Sequence, residues 1–514
     1  MAIPALAALA IALLITSRYG PATNWDSATY VSAAAGLLAG HGYRVFSGYQ
    51  LVEFPPFYPT VLAFFGLSEL PWLEIGRWVS AVTFGLTTFI SGVWFARHTS
   101  RLSLTLLGQA CVVFSVPLLL VSTYIWSEPL LILLAVLAIL EMELYLESGR
   151  FSHLALCVVL GALATVTRYA GVTVVLTGAL LLLTRRDVSF IRNFLSAAAF
   201  GAVSAIPVAA WLVRNYILFH SVAPNRGASS YSVAFNIART FEALVYWIVP
   251  FGSAIWHSIQ GPLLAFVSST AAGRIAAALL AAVIVILVAL LVWGGVRHRS
   301  TLRQLGVSKL APAAAFVAIY VGYLVLAASV VRFEAIGTRL LSPIYVPLVL
   351  LVIWAIDAAR RLLADGQRSR ALQYLPAIVL ALWLLIPLSV ASLTISQAVQ
   401  NGAGPGTANS RWADSQTMGY LKEHPIDGAQ LYSNRADYVF LLSGQCSKWL
   451  PSGDTLAESL DKLPPTSGAA YVAYFGSVQG SVAAETPDGL NVELVLAADD
   501  GRIYHVTGDS LVGG

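Results

Sequence analysis

Apolar runs of near membrane-spanning length recur along almost the whole of this 514-residue chain, and they decide its class before any single residue does. A helix needs about 20 mostly apolar residues to cross a bilayer. The runs fall at 2–17, 75–96, 103–122, 128–146, 152–167, 170–183, 194–213, 275–296, 310–330, 342–358 and 372–392. The sequence therefore predicts a mainly α, polytopic membrane protein of about eleven transmembrane helices. The two runs flanking Arg168 read alternatively as one broken helix pair dipping in from the outer surface. Composition agrees. The chain is 58% hydrophobic and 11% charged, whereas a soluble domain carries roughly a quarter charged residues. A net charge of +4 is too mild to point to a nucleic-acid partner. The first run, MAIPALAALAIALLIT, has no basic segment ahead of it and no small-residue cleavage pattern behind it. It reads as the first span rather than as a secretory signal.

Basic residues orient the chain. With the N-terminus inside, the inner connections hold Arg97, Arg101, Arg150, Arg185, Arg186, Arg192, Arg297, Arg299, Arg303, Lys309, Arg360, Arg361, Arg368 and Arg370, packed into short loops. The outer connections hold fewer, spread over far more chain. The positive-inside bias favours a cytoplasmic N-terminus in the plasma membrane, and an odd number of spans puts the C-terminus outside. Two outer connections are long, about 18–74 and 214–274. Stretches such as FPPFYPTVLAFFG and ALVYWIVPFGSAIWHS suit helices lying in the interface.

After about residue 393 the character changes. QLYSN, AAYVAYF, VELVLAA and RIYHV read as strands, DTLAESLDKL as an amphipathic helix, and DDG as a turn. The expected division is a transmembrane part, 1–392, and a small soluble extracytoplasmic α/β domain, 393–514. Cys111 and Cys157 sit in apolar runs and Cys446 in the polar tail, so no disulfide framework is expected.

Chemistry-bearing residues concentrate in the outer segments. Asp26, in NWDSATYVSAAAGLLAGHGY, lies just beyond the first span at the head of a helix-compatible stretch that puts Tyr30 on the same face. An ionisable group so near lipid is costly unless hydrated or partnered. Asp26 is either a functional acid or a helix N-cap. VEFPPFYP follows, with Glu53 ahead of three prolines that make the stretch rigid and extended, and with Tyr58 inside it. Asp26 and Glu53 could orient a sugar hydroxyl or hold a divalent metal. SEPL places Glu128 at an outer helix start. TRYAG, RNY and VRFEAIGTRLLSPIYVP place Arg168, Arg214, Arg332 and Arg339 at outer helix ends. There they could snorkel to headgroups or bracket a phosphate. Arg332 and Arg339 would lie two turns apart on a helix, with Glu334 a potential ion-pair partner.

The order WDSATYVSAAAGLLAGHGY, PPFYP, SEPL, TRYAG, RNY, RLLSPIYVP resembles the polytopic glycosyltransferases of the GT-C fold. Within them it is most similar to bacterial lipid-carrier-dependent enzymes related to protein O-mannosyltransferases and lipid A aminoarabinose transferases. The resemblance covers about residues 1–360. It implies a sugar donor on a polyprenyl-phosphate carrier, a hydroxyl acceptor (glycan, lipid or protein) and a reaction at the outer membrane face. It implies Asp26 as the catalytic carboxylate and matches Glu53 to the acid before the two prolines. A phosphate-contacting lysine follows that acid in the aminoarabinose transferases, whereas Phe54 follows here. The phosphate contact is therefore expected from Arg332 or Arg339, with Arg168 and Arg214 behind them. Ser27 replaces the second acid of the O-mannosyltransferase pair. Glu53, Tyr30, Tyr58 and Glu128 are the expected sugar or acceptor contacts. The alternative class is a transporter or flippase of lipid-linked sugars. Against it, the chain lacks a clear two-half inverted pattern, and its acids and prolines lie in outer loops.

Overall fold

A computed structural model describes residues 1–185, 188–222, 227–248, 307–332, 334–365, 369–404, 406–453, 455–464, 467–476 and 490–512. The run expected at 275–296 lies outside them. Among the described residues six helices are long and apolar enough to cross a membrane: Trp72–His98, Glu128–Ser148, Phe190–Phe219, Ala311–Val330, Thr338–Ala364 and Arg370–Asn401. Leu102–Val113 and Val116–Ser122 make a further candidate, bent by 50°. The bend has a local cause. Ser115 caps the second piece by accepting from the Leu118 amide, and Pro117 has no amide to continue the first. Shorter apolar helices are Ala2–Ile15, Phe57–Gly66, Phe151–Thr167 and Tyr169–Leu183. The chain is thus a mainly α, polytopic membrane protein with a small α/β part at its C-terminal end.

Two tiers of ionic contacts mark opposite ends of the bundle. Glu128 and Glu147 sit on one helix nineteen residues apart, which is about 29 Å along the axis, close to the bilayer's apolar thickness. At the Glu147 end, Arg97 and Lys309 pair with Glu147 at 2.6 and 2.9 Å. Buried Asp357 accepts from the Ser100 amide and hydroxyl and pairs with Arg360. These cations are ones the sequence assigns to a common side. At the other end Arg77 donates to Thr16 Oγ1 and to the Leu13 carbonyl, supplying a partner for the last turn of the short first helix.

The helices flanking Arg168 fold back on one another. Arg168 is extended (φ −149°, ψ 144°), and a Cβ at Gly171 would meet the Ala164 carbonyl oxygen at 2.1 Å. Only glycine permits that approach. The prolines of VEFPPFYP leave only part of it extended. Pro55 and Pro56 precede the helix Phe57–Gly66, and Pro59 sits in its first turn, where a missing amide costs nothing.

The C-terminal part is a five-stranded mixed sheet. Its strands are β1 (Gln430–Ser433), β2 (Lys448–Trp449), β3 (Ser467–Phe475), β4 (Leu490–Ala498) and β5 (Gly501–Val512), in the order β2-β1-β3-β5-β4. β1 runs parallel to β2 and β3, while β5 is antiparallel to β3 and β4. Alternation supplies a core on each face. Tyr432, Val472, Tyr504 and Val506 pack with Leu456 and Leu460 on one face; Leu431, Ala473 and Ile503 pack with Trp412 and Met418 on the other. The helix Leu385–Asn401 runs past residue 392, and the α/β part begins with the turn of helix at Ser410.

This sheet domain is seated on the first outer loop, the connection 18–74 that the sequence reading expects on the outer side. The helix Ala436–Ser443 packs on the helix Trp25–Leu38. Buried Phe46 stacks on Phe440 at 6.2 Å and meets Trp449 edge-on at 6.4 Å. Thr23 Oγ1 accepts from the Thr407 amide at 3.0 Å. Gly406, at φ 89°, leaves no room for a Cβ against the Thr23 carbonyl.

Candidate functional site

Asp26 is positioned by its neighbours rather than by its own hydrogen bonds to backbone. Asn24 is the N-cap of the helix Trp25–Leu38. It accepts from the Ser27 amide at 3.2 Å, and Ser27 answers through its hydroxyl to the Asn24 amide. Asn24 also accepts from Trp126 Nε1 at 2.9 Å. The capping role open to Asp26 therefore belongs to Asn24, and Asp26 in the first turn has its carboxylate free for other partners. The preceding residues are fixed from two directions. The Ala22 amide donates to the Thr123 carbonyl at 2.9 Å, and Thr23 is held by Thr407. The first outer loop is thereby tied both to the segment entering the helix Glu128–Ser148 and to the C-terminal part.

Arg339 closes the site. It sits in the turn of helix Thr338–Leu341. Tyr320 fixes that turn by donating to the Leu340 carbonyl at 2.8 Å, and Ser342 does so by donating to the Arg339 carbonyl at 2.7 Å. The guanidinium lies 3.8 Å over the Trp126 ring, donates to Asp26 Oδ2 and to Glu128 Oε1, and approaches Glu334 Oε2 at 3.4 Å. Glu128 is buried and is shared: its other oxygen lies 2.9 Å from Arg168 Nη1. Arg168 also donates to Ser127 Oγ at 3.1 Å. A buried carboxylate costs little only when it is paired this thoroughly.

Over these groups opens a cavity of about 390 Å³. Asp26, Glu53, Arg168, Arg332, Glu334 and Arg339 supply its charge. Trp25, Phe54, Tyr169, Tyr320 and Tyr323 supply aromatic walls, and Leu324 and Ala327 an apolar side. Packing at the rim pushes the Glu334 carboxyl above the ordinary carboxylate range, Glu128 and Asp26 add to that, and Arg339 opposes it. Of the nine sequence-predicted residues, Asp26, Glu53, Arg168, Arg332 and Arg339 line this one cavity, and Glu128 stands directly behind it. Phe54, which follows Glu53, packs its ring against Trp25 and Tyr30 at 5.6 and 4.8 Å.

The remaining three lie elsewhere. Tyr30 is fully buried with its hydroxyl on Ser127 Oγ at 3.0 Å, and Tyr58 meets its ring edge-on at 5.0 Å. Both back the wall. Arg214 donates to the Leu51 carbonyl and to Gln50 Oε1 and stacks on Trp211, pinning the first outer loop to the helix Phe190–Phe219. Arg332 and Arg339 are not two turns of one helix. Arg332 follows an antiparallel bridge between Ala228 and Val331, so its backbone is held by the second outer loop.

Sequence reading missed Trp126, Ser127 and Tyr320. Trp126 stands in TYIWSEPL two residues ahead of Glu128, and its ring lies under the Arg339 guanidinium. Nothing in a single sequence separates it from the aromatic residues that ring any membrane interface. Among the described residues no group of three or more His, Cys, Asp or Glu is arranged to hold a metal ion.

No protein-family model and no curated protein sequence matches the chain. Solved structures do. The crystal structure of ArnT from Cupriavidus metallidurans in the apo state matches with a TM-score of 0.62 at 14% identity, over 100% of this chain and 98% of that chain. The same protein bound to undecaprenyl phosphate matches with a TM-score of 0.60 at 11% identity, again over 100% and 98%. The likeness runs through the helices and the C-terminal α/β part alike, so the polytopic GT-C fold expected from the sequence motifs is the fold of this chain.

Proposed function

We propose that this protein is a membrane glycosyltransferase that moves a sugar from a polyprenyl-phosphate carrier to a hydroxyl acceptor at the outer face of the plasma membrane. The observation that carries the reading is the meeting of Asp26 with Arg339, Arg332 and Arg168 in one cavity. It stands on a fold whose solved example, ArnT, binds undecaprenyl phosphate. The proposed topology has eleven spans: the candidates above, the three short apolar helices at 2–15, 151–167 and 169–183, and the run at 275–296. The N-terminus is cytoplasmic, and the α/β part from Ser410 onward, after the last span ends at Asn401, is the extracytoplasmic domain that the sequence reading began at 393.

The chemistry follows from the charges. The acceptor oxygen attacks the anomeric carbon as the bond from that carbon to the phosphate oxygen breaks. Asp26 takes the hydroxyl proton, and the carrier phosphate leaves with the electron pair. A single displacement inverts the anomeric centre. Negative charge grows on the departing phosphate, and preorganised guanidinium groups there lower the barrier most. Arg339 and Arg332 fill that role. Arg168, held through Glu128, adds positive potential. In the resting state Asp26 occupies Arg339. The donor phosphate competes for the same guanidinium, so donor binding frees the base. Glu53, on the same wall, is the proposed partner for a sugar or acceptor hydroxyl. The alternative use of Asp26 and Glu53, to hold a divalent ion, is separated by assay after dialysis against EDTA, since loss of turnover restored by one added ion would assign them to a metal.

The test is direct. Purified protein is given a panel of polyprenyl-phosphate sugars and hydroxyl acceptors, and glycosylated product is measured. Translocation of the lipid-linked sugar across vesicles without any product would assign the fold here to transport.

A further inference from the structure

Two more cavities adjoin the Asp26 cavity. One, of about 380 Å³, shares Trp25 and Glu53 with it and continues along the first outer loop past Val45, Phe46, Tyr49 and Gln50. The next, of about 320 Å³, shares Phe46, Ser47 and Tyr49 with that one. It reaches the sheet domain at Gln430 and Lys448, with Arg44 on the loop side. The three therefore lie in a row, from the proposed base to the seam between loop and sheet domain.

Their chemistry changes along the row. The middle cavity joins aromatic faces to amide, hydroxyl and carboxylate groups, the mixture that binds sugar rings: flat apolar C–H faces against aromatics, hydroxyls against polar side chains. The far cavity holds two cations, Arg44 and Lys448, and no carboxylate. Among the described residues Arg44 donates through its Nε to the Gly48 carbonyl at 2.9 Å. Lys448 is half-buried on β2, the edge strand that Phe46 helps to seat. Resting on the glycosyltransferase reading, we infer that the acceptor is an oligosaccharide carrying an anionic group. Its reactive hydroxyl lies at Asp26, its rings lie along Trp25 and Tyr49, and its anion lies between Arg44 and Lys448. A carboxylate or a phosphate supplies the same negative charge, and the two are distinguished below.

The test uses the full chain in detergent micelles and fluorophore-labelled tetrasaccharides: tetragalacturonate, phosphorylated maltotetraose and neutral maltotetraose. Fluorescence anisotropy is expected to show at least one anionic probe binding roughly tenfold tighter than the neutral one, the size of one hydrogen bond to a charged group. The stronger of the two anionic probes names the group. The double variant Arg44→Ala/Lys448→Ala should erase that preference while leaving the affinities for maltotetraose and for undecaprenyl phosphate unchanged. Tyr49→Ala should weaken all three saccharides alike. Equal binding of neutral and anionic probes, a preference that survives the double variant, or no detectable binding of either anionic probe overturns the inference. Failure of the transferase reading looks different: wild-type protein then neither binds undecaprenyl phosphate nor forms product, whatever saccharide is offered.

Discussion

At the scale of single residues the site is a competition for guanidinium groups. Asp26, Glu128 and Glu334 all converge on Arg339, and each acid has a different expected signature. Asp26→Asn should lower transfer by roughly 10²- to 10⁴-fold, the usual worth of a general base. Donor affinity in that variant should hold or rise, because Arg339 loses a competitor. Turnover near wild type would remove Asp26 from the proton transfer. Glu334 is held near the cavity rim with its carboxyl above the ordinary range. It is neutral at low pH and ionises as pH rises through that elevated value, adding negative charge beside the donor phosphate. Undecaprenyl phosphate should thus bind more weakly as pH rises, over a window shifted toward neutrality from that of a free carboxylate. Glu334→Gln should bind more tightly at the upper end and lose that part of the pH dependence. The phosphate's own titration remains in both, so the difference between the two titrations is the measurement. Glu128 is buried between two arginines. Glu128→Gln removes the charge that compensates them and should cost about 3 kcal/mol. Thermal unfolding in detergent reads this, and an unchanged melting temperature would show that the pairing is incidental.

At the scale of elements, helix starts hold the geometry of the cavity. The cap at Asn24 and the first turn of the helix Glu128–Ser148 face each other, joined through Trp126 and Ser127. Asn24→Ala should cost about 1 kcal/mol of local stability. It also loosens Trp126 and the helix end that carries Asp26, so turnover should fall more than donor affinity does. A loss confined to donor affinity would mean that the cap positions the phosphate site instead. These elements were legible in part. NWDSATYV showed a helix start with Asp26 at its head, as functional acid or as cap, and only the backbone gives the cap to Asn24. The spacing of Arg332 and Arg339 would be two turns on a helix, but spacing carries no information about the bridge that holds Arg332 beside Ala228 instead.

At the scale of the whole molecule, the sheet domain and the first outer loop are packed together, with Phe46 the aromatic contact between them. Phe46→Ala removes a buried aromatic side chain at that seam and should cost about 3 kcal/mol of docking. Amide exchange should then rise in Ala436–Ser443 and around Tyr49, while the helical bundle keeps its protection. Exchange unchanged in both segments would show that Thr23 and Thr407 suffice to hold the seam. What the sequence determined by itself was whatever depends on short stretches of chain: the apolar runs, the clustering of cations in short connections, the alternation of the strands and the placing of Asp26, Glu53 and Glu128 next to helix starts. Water and lipid sort residues by local composition, so these can be read in order along the chain. The tertiary structure alone decided which arginine meets which acid. Asp26 and Arg339 are 313 residues apart, and they meet only because packing of the intervening helices fixes where two short turns end in space. The same packing turned Arg214 toward the Leu51 carbonyl and left Arg168 on the cavity wall, paired with Glu128, although the sequence places all four arginines at similar helix ends.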